Sequence, residues 1–199
     1  AAFSHDKPLA PFLFERRELR GNDVEIEILY SGICHTDLHT ARNDWGATEY
    51  PIVPGHEIIG RVTAVGANVT ARTVGDAVAV GTMVDACMEC DQCRRGEEQL
   101  CRLLPTYTFG GRDRITGEMT QGGFAKHIVV REEFAIPVPQ TLDLTRAAPL
   151  LCGGITVYSP LRTWNTGPGT RVGVIGLGGL GHLAVKFAAA LGAHVTVLS

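Results

Sequence analysis

Six cysteines carry the most specific chemistry in the sequence, and four of them, Cys87, Cys90, Cys93 and Cys101, are spaced C-x2-C-x2-C-x7-C. Thiolates two residues apart on a loop, with a fourth within reach, can wrap tetrahedrally around Zn²⁺, which accepts four sulfurs at roughly 2.3 Å. Four protein ligands leave no open position, so such a site would be structural. Disulfides are the alternative. No positively charged start followed by an apolar core opens the chain, so no secretory signal is visible, and a reducing compartment with metal binding is expected.

The other two cysteines stand apart. Cys34 lies in Gly32-Ile-Cys34-His35-Thr36-Asp37-Leu-His39, and Cys152 in Pro149-Leu-Leu-Cys152-Gly-Gly-Ile-Thr156. Between them comes Gly55-His56-Glu57. Brought together by the fold, Cys34, His56 and Cys152 would make a three-ligand zinc site with its fourth position open, which is catalytic geometry. Taken singly, each has a plainer reading: a lone cysteine as a small buried hydrophobe, a lone histidine as a packed or surface side chain. Spacing alone leaves both readings open.

A third motif, Gly176-Leu-Gly178-Gly179-Leu180-Gly181, has the form G-x-G-x-x-G. Its context gives it weight, because it follows the apolar run RVGVI and opens an amphipathic segment. Gly176 would allow the tight turn, Gly178 the approach of a pyrophosphate, and Gly181 close packing of helix on strand. An NAD-preferring unit would carry Asp or Glu about 20 residues further on. The last acidic residue is Asp143, and Ser199 stands at the expected position. A small hydroxyl leaves room for a 2′-phosphate, so NADP(H) is expected.

Elements must position these groups. Residues 24–30, 58–65, 77–80 and 124–130 are expected strands, and several short strands at such spacing indicate a barrel or sandwich. The turn-forming stretch Asn165-Thr-Gly-Pro-Gly-Thr170 then marks a boundary. After it come a buried strand at 171–175, a helix at 179–191 presenting Leu180, Ala184, Phe187 and Leu191 on one face with Gly192 as its stop, and a strand at 194–198. Together they make a βαβ unit of about 30 residues. The expected fold is mixed α/β, with a β-rich domain over 1–165 and the start of a dinucleotide-binding domain over 166–199.

Composition excludes other classes. With 45% hydrophobic residues the 199-residue chain can bury a core, so it is neither disordered nor collagen-like. Lys and Arg number 18 against 21 Asp and Glu, with no block of like charge, so neither nucleic acid nor a membrane surface is an expected partner. The apolar stretch 172–198 is long enough for a membrane span, but Lys186, His182, His194 and its glycines favour the soluble βαβ reading. A cytoplasmic protein is expected.

The strings CHTDLH, YPIVPGHEIIG, TQGGFAKH, APLLCGGITVYSPL and VGVIGLGGLGH resemble the zinc-dependent medium-chain alcohol dehydrogenases, in particular the branch of cinnamyl alcohol dehydrogenases and NADP-dependent aldehyde reductases. The resemblance runs over essentially the whole chain. It implies a GroES-like catalytic domain followed by a Rossmann domain, and the Cys2His catalytic zinc for which alcohol dehydrogenase is itself the known example. Against that family the chain is expected to lack the opening strand and everything after the second Rossmann strand.

Carried over residue by residue, the resemblance implies Cys34, His56 and Cys152 as catalytic zinc ligands and Cys87, Cys90, Cys93 and Cys101 as the structural set, two zinc ions per chain. Thr36 would meet the substrate oxygen, and His39 would be the outer acid–base group of a proton relay. Asp37 would orient His56, and Glu57 would be the carboxylate beside the zinc. The fingerprint Gly176, Gly178, Gly179, Leu180 and Gly181, with Ser199, His35 and Thr156, would contact NADP(H), and Trp45 would line the substrate pocket. The implied reaction interconverts primary aromatic or aliphatic alcohols and aldehydes by hydride transfer, in an enzyme whose full-length relatives are homodimers or tetramers. The alternatives are an incomplete, zinc-stabilised fragment of such an enzyme and an NAD-dependent alcohol or polyol dehydrogenase.

Overall fold

The computed structural model describes residues 1–199. The chain forms two compact units, Ala1–Ala148 and Pro149–Ser199.

The first unit is built on strands β1 (Asp23–Ser31), β2 (Ile58–Val65) and β3 (Ala77–Val80), with helix α1 (His35–Arg42) between the first two. Strands β4 (Met83–Asp85), β5 (Thr106–Tyr107), β6 (His127–Arg131) and β7 (Ile136–Pro137) follow, and helix α2 (Leu144–Ala147) closes the unit. Five strands make one antiparallel sheet in the order β6-β1-β2-β3-β7, and β4 pairs with β5 separately. The sheet forms because alternate residues are β-branched and share one face. Val24 and Ile26, Ile58 and Val62, and Val78 and Val80 are all buried in a single cluster. Each such side chain contributes about 1.5–3 kcal/mol through burial.

Three of the four expected strands coincide closely with β1, β2 and β3. The fourth starts late: β6 begins at His127, not at residue 124. Phe124 N–H is committed instead to the carbonyl of Pro54, so residues 121–124 serve a loop pairing before the strand begins.

The second unit holds helix α3 (Gly153–Thr163), strand β8 (Arg171–Ile175), helix α4 (Gly179–Ala190) and strand β9 (His194–Leu198). β8 and β9 pair in parallel, joined by α4 as a βαβ crossover. Gly192, at φ 88°, ends the helix as expected. The division between units falls at 148/149, earlier than the 165/166 boundary read from the Gly-Pro turn. The reason is α3, which the apolar pattern did not reveal: it packs on α4, with Tyr158 and Phe187 rings 5.5 Å apart. The buried helix position is Ala188, while Leu180 of the expected face is half exposed.

Candidate active site and metal centres

The chain turns sharply after β1. Cys34 caps α1 with extended backbone, and Asp37, three residues on, returns its carboxylate to the Cys34 N–H (Oδ2, 2.9 Å). This capping box makes Cys34 the cap in place of Thr36, the hydroxyl that usually favours that position. The other oxygen, Asp37 Oδ1, accepts from Gly55 N–H (2.9 Å) and from His56 Nδ1 (3.0 Å). One carboxylate, 2% exposed, therefore fixes two sequence-distant candidate ligands at once.

Its bond to His56 decides the tautomer. With Nδ1 donating to a carboxylate, the neutral imidazole keeps its lone pair on Nε2. That atom is buried and has no hydrogen-bond partner. Burial disfavours the imidazolium, but Asp37 and Cys34 outweigh it and raise the imidazole pKa above its ordinary value. The Cys34 sulfur, His56 nitrogen and a Glu57 carboxylate oxygen lie within 4.8 Å of one another. An orphaned buried nitrogen beside a thiol and a carboxylate fits a borderline-soft cation such as zinc.

Two glycines make this packing possible. A Cβ on Gly32 would lie 2.1 Å from Glu57 Oε2, so the buried carboxylate occupies the room left by the missing side chain. Gly55 has φ 106°, and a Cβ there would come within 2.6 Å of Phe124 N, so GHE requires glycine on both counts.

Thr36 Oγ1 lies 3.6 Å from Cys34 Sγ. His39, one turn further along α1, bonds Asp44 through Nδ1 (2.8 Å) and stacks near Trp45 at 5.1 Å. Asp44 carries no local signal in the sequence: it lies past the helix in an ordinary turn, and only the αL reversal at Asn43 folds it back toward His39. Trp45, past the end of α1, is 62% exposed, and His35 is exposed at the start of α1.

The four-cysteine lobe closes on itself. All four sulfurs lie within 4.8 Å of one another, and none is disulfide-bonded. Backbone N–H groups point at them, from Cys90 to Cys87 Sγ (3.4 Å) and from Cys93 and Arg102 to Cys90 Sγ (3.5 Å each). These donors hold the Cys90 thiol down to about 6, whereas burial pushes Cys93 up to about 12. Four thiols within 4.8 Å of one another, with backbone N–H groups aimed at two of their sulfurs, fit a cation that neutralises them together.

In the second unit Cys152 caps α3, its carbonyl accepting from Thr156 N–H (3.0 Å), and Thr156 is exposed on the first turn. Gly176 has φ 85°, and a Cβ on Gly176, Gly178 or Gly179 would meet no atom within 4 Å. Gly181 is the opposite case, since its Cβ would lie 2.0 Å from Gly176 O. The fingerprint thus combines open backbone at the start of α4 with close helix–strand packing behind it, as a dinucleotide cradle requires. Leu180 and Ser199 are both exposed, the latter directly after β9.

Residues 20–140 match the family model described as the alcohol dehydrogenase GroES-like domain. The NADP-dependent alcohol dehydrogenase C of Mycobacterium bovis is 53% identical over 201 residues, covering all of this chain and 57% of that protein. Among solved structures, a cinnamyl alcohol dehydrogenase of Sorghum bicolor superposes with TM-score 0.94 at 48% identity, covering 98% of this chain and 56% of that one. The corresponding enzyme of Helicobacter pylori, complexed with NADP(H), gives 0.92 at 44%, covering 99% and 57%. The chain spans about half the length of the relatives it matches.

Proposed function

Because the chain belongs to the zinc-dependent medium-chain alcohol dehydrogenases, in the cinnamyl alcohol dehydrogenase branch, we propose that it carries the catalytic half of an NADP(H)-dependent enzyme interconverting primary alcohols and aldehydes. The observation that carries this reading is the double grip of Asp37 on Cys34 and His56, with the buried His56 Nε2 left without a hydrogen-bond partner. Cys34 and His56, with Cys152 from the second unit by resemblance to the family, are the ligands of a catalytic zinc. Cys87, Cys90, Cys93 and Cys101 hold a structural one.

When bound, zinc and the nicotinamide supply Lewis acidity toward the substrate oxygen and a two-electron hydride carrier. The chain's own residues do the rest. Asp37 fixes the tautomer of His56 and the direction of its ring. Thr36 Oγ1 takes the alcohol proton and passes it outward, and His39 exchanges it with solvent through the ring nitrogen not engaged by Asp44. Asp44 holds the imidazole in orientation, and Trp45 gives the substrate an aromatic wall. Gly176, Gly178 and the first turn of α4 receive the pyrophosphate, and the neutral Ser199 admits a 2′-phosphate.

The test combines zinc per chain, by elemental mass spectrometry after removal of loose metal, with reduction of cinnamaldehyde under NADPH and under NADH. Two zinc ions and turnover preferring NADPH are expected. One zinc ion without turnover would favour a zinc-stabilised fragment, and a preference for NADH would overturn the cofactor reading.

A further inference from the structure

Arg16 precedes the matched family region, and its guanidinium has no carboxylate partner. All three of its nitrogens donate to backbone carbonyls: Nε to His127 O (2.9 Å), Nη1 to Gln121 O and Nη2 to Gly122 O (2.8 Å). The ring of Phe14 lies 4.7 Å away on its face. The carbonyls belong to both ends of one loop, 121–127, so a single planar fork ties the entry of that loop to its exit.

The opposite edge of the loop is spent on the segment that presents His56. Val53 N–H donates to Gln121 Oε1 (2.6 Å), and Gln121 Nε2 donates to Pro51 O (3.2 Å). Gly122, Gly123 and Phe124 donate their N–H groups to the carbonyls of Val53 (2.6 Å), Gly55 (2.8 Å) and Pro54 (3.0 Å). The two backbones lie so close that a Cβ on Gly122 would be 2.5 Å from Pro54 O. Contact continues without a gap from Arg16 through residues 121–124 and 51–55 to Gly55, whose N–H shares Asp37 Oδ1 with His56.

We propose that Arg16 is a positioning residue for the His56 metal centre: by pinning the carbonyls of Gln121, Gly122 and His127 it fixes the loop against which the Pro51-to-Gly55 backbone is laid, and so the position of the His56 imidazole. The inference rests on the reading of Cys34 and His56 as zinc ligands. It requires the guanidinium's shape, since an ammonium offers one nitrogen where three carbonyls need separate donors.

The experiment is cadmium NMR of the full chain loaded with cadmium, for wild type, Arg16→Lys and Arg16→Gln, with the rate at which a chelator removes each metal. Wild type should give two resonances, one from the four-thiolate lobe and one from the mixed nitrogen–sulfur centre. In both variants the mixed-centre resonance should shift or broaden and its metal leave about 10–100-fold faster, the range seen when groups that orient a ligand are lost. The four-thiolate resonance should stay in place and report an intact fold. Unchanged spectra, restoration of wild-type behaviour by lysine, or equal perturbation of both resonances would each overturn the role of Arg16 while leaving the zinc reading intact. A wild-type spectrum with only the lobe resonance would overturn both.

Discussion

Asp37 shows how much one buried carboxylate can organise. Its oxygens satisfy the N–H of Cys34, the N–H of Gly55 and the Nδ1 of His56, so truncation leaves three donors without their acceptor, two of them on candidate ligands. Each orphaned buried donor costs about 1–3 kcal/mol. Asp37→Ala should therefore weaken zinc at the Cys34–His56 centre about 10–100-fold. Chelator competition is the check, with the four-cysteine zinc as internal reference, and equal loss from both sites would argue against a local role. Gly32 belongs to the same account. The buried Glu57 carboxylate keeps its place only because nothing stands at Gly32, where a Cβ would lie 2.1 Å from it. Cys34, His56 and Asp37 were legible as residue types in motifs. Asp44 and Arg16 were not, because an aspartate in a turn and an arginine near the start of the chain carry no local signal.

At the scale of elements, the βαβ unit separates two uses of glycine that look identical in G-x-G-x-x-G. A Cβ on Gly181 would collide with the Gly176 carbonyl at 2.0 Å, whereas one on Gly178 would project into open space. Gly181→Ala should lower the melting temperature, since forcing α4 off β8 costs about 1–3 kcal/mol. Gly178→Ala should melt like wild type and yet bind NADPH much more weakly, because its methyl occupies the approach of the pyrophosphate. Thermal melts and NADPH fluorescence titration would separate the two, and equal melting temperatures for both variants would refute the assignment. The strands β1, β2, β3, β8 and β9 and the helix α4 were legible from periodicity and Gly punctuation. Helix α3 was not, because its opening Gly153-Gly154, its internal Pro160 and its β-branched residues all weaken a helical signal that packing on α4 overrides.

For the whole molecule, acid stability follows from the ionic cluster that ties residues 17–23 to the turn at 113–116. Arg17 bonds Asp23 and reaches Asp113 (3.2 Å), and Arg20 bonds the other oxygen of Asp113 (2.5 Å). Burial raises the Asp113 carboxyl, but Arg20 and the N–H groups of Thr116 and Ile115 outweigh it and hold it far below its ordinary 3.8. A depressed carboxyl contributes stability that is complete above its unfolded pKa and is lost as pH falls through the folded one. The chain should therefore lose stability progressively below about pH 4, and Asp113→Asn should be less stable near neutrality with a flatter acid limb. Urea midpoints across that range provide the check, and parallel acid limbs for the two proteins would dismiss the cluster as the cause. No helix is long and apolar enough to cross a membrane. By itself the sequence determined the types and spacings of the candidate metal ligands, the alternation of the strands and the glycine fingerprint, because these are patterns of residues along the chain. Only the tertiary structure decided that one carboxylate serves Cys34, Gly55 and His56 together, that α3 belongs with α4, and that an early arginine braces the loop behind GHE. Those facts depend on backbone groups brought together from distant parts of the chain, and residue identity does not encode which carbonyl a folded loop will present.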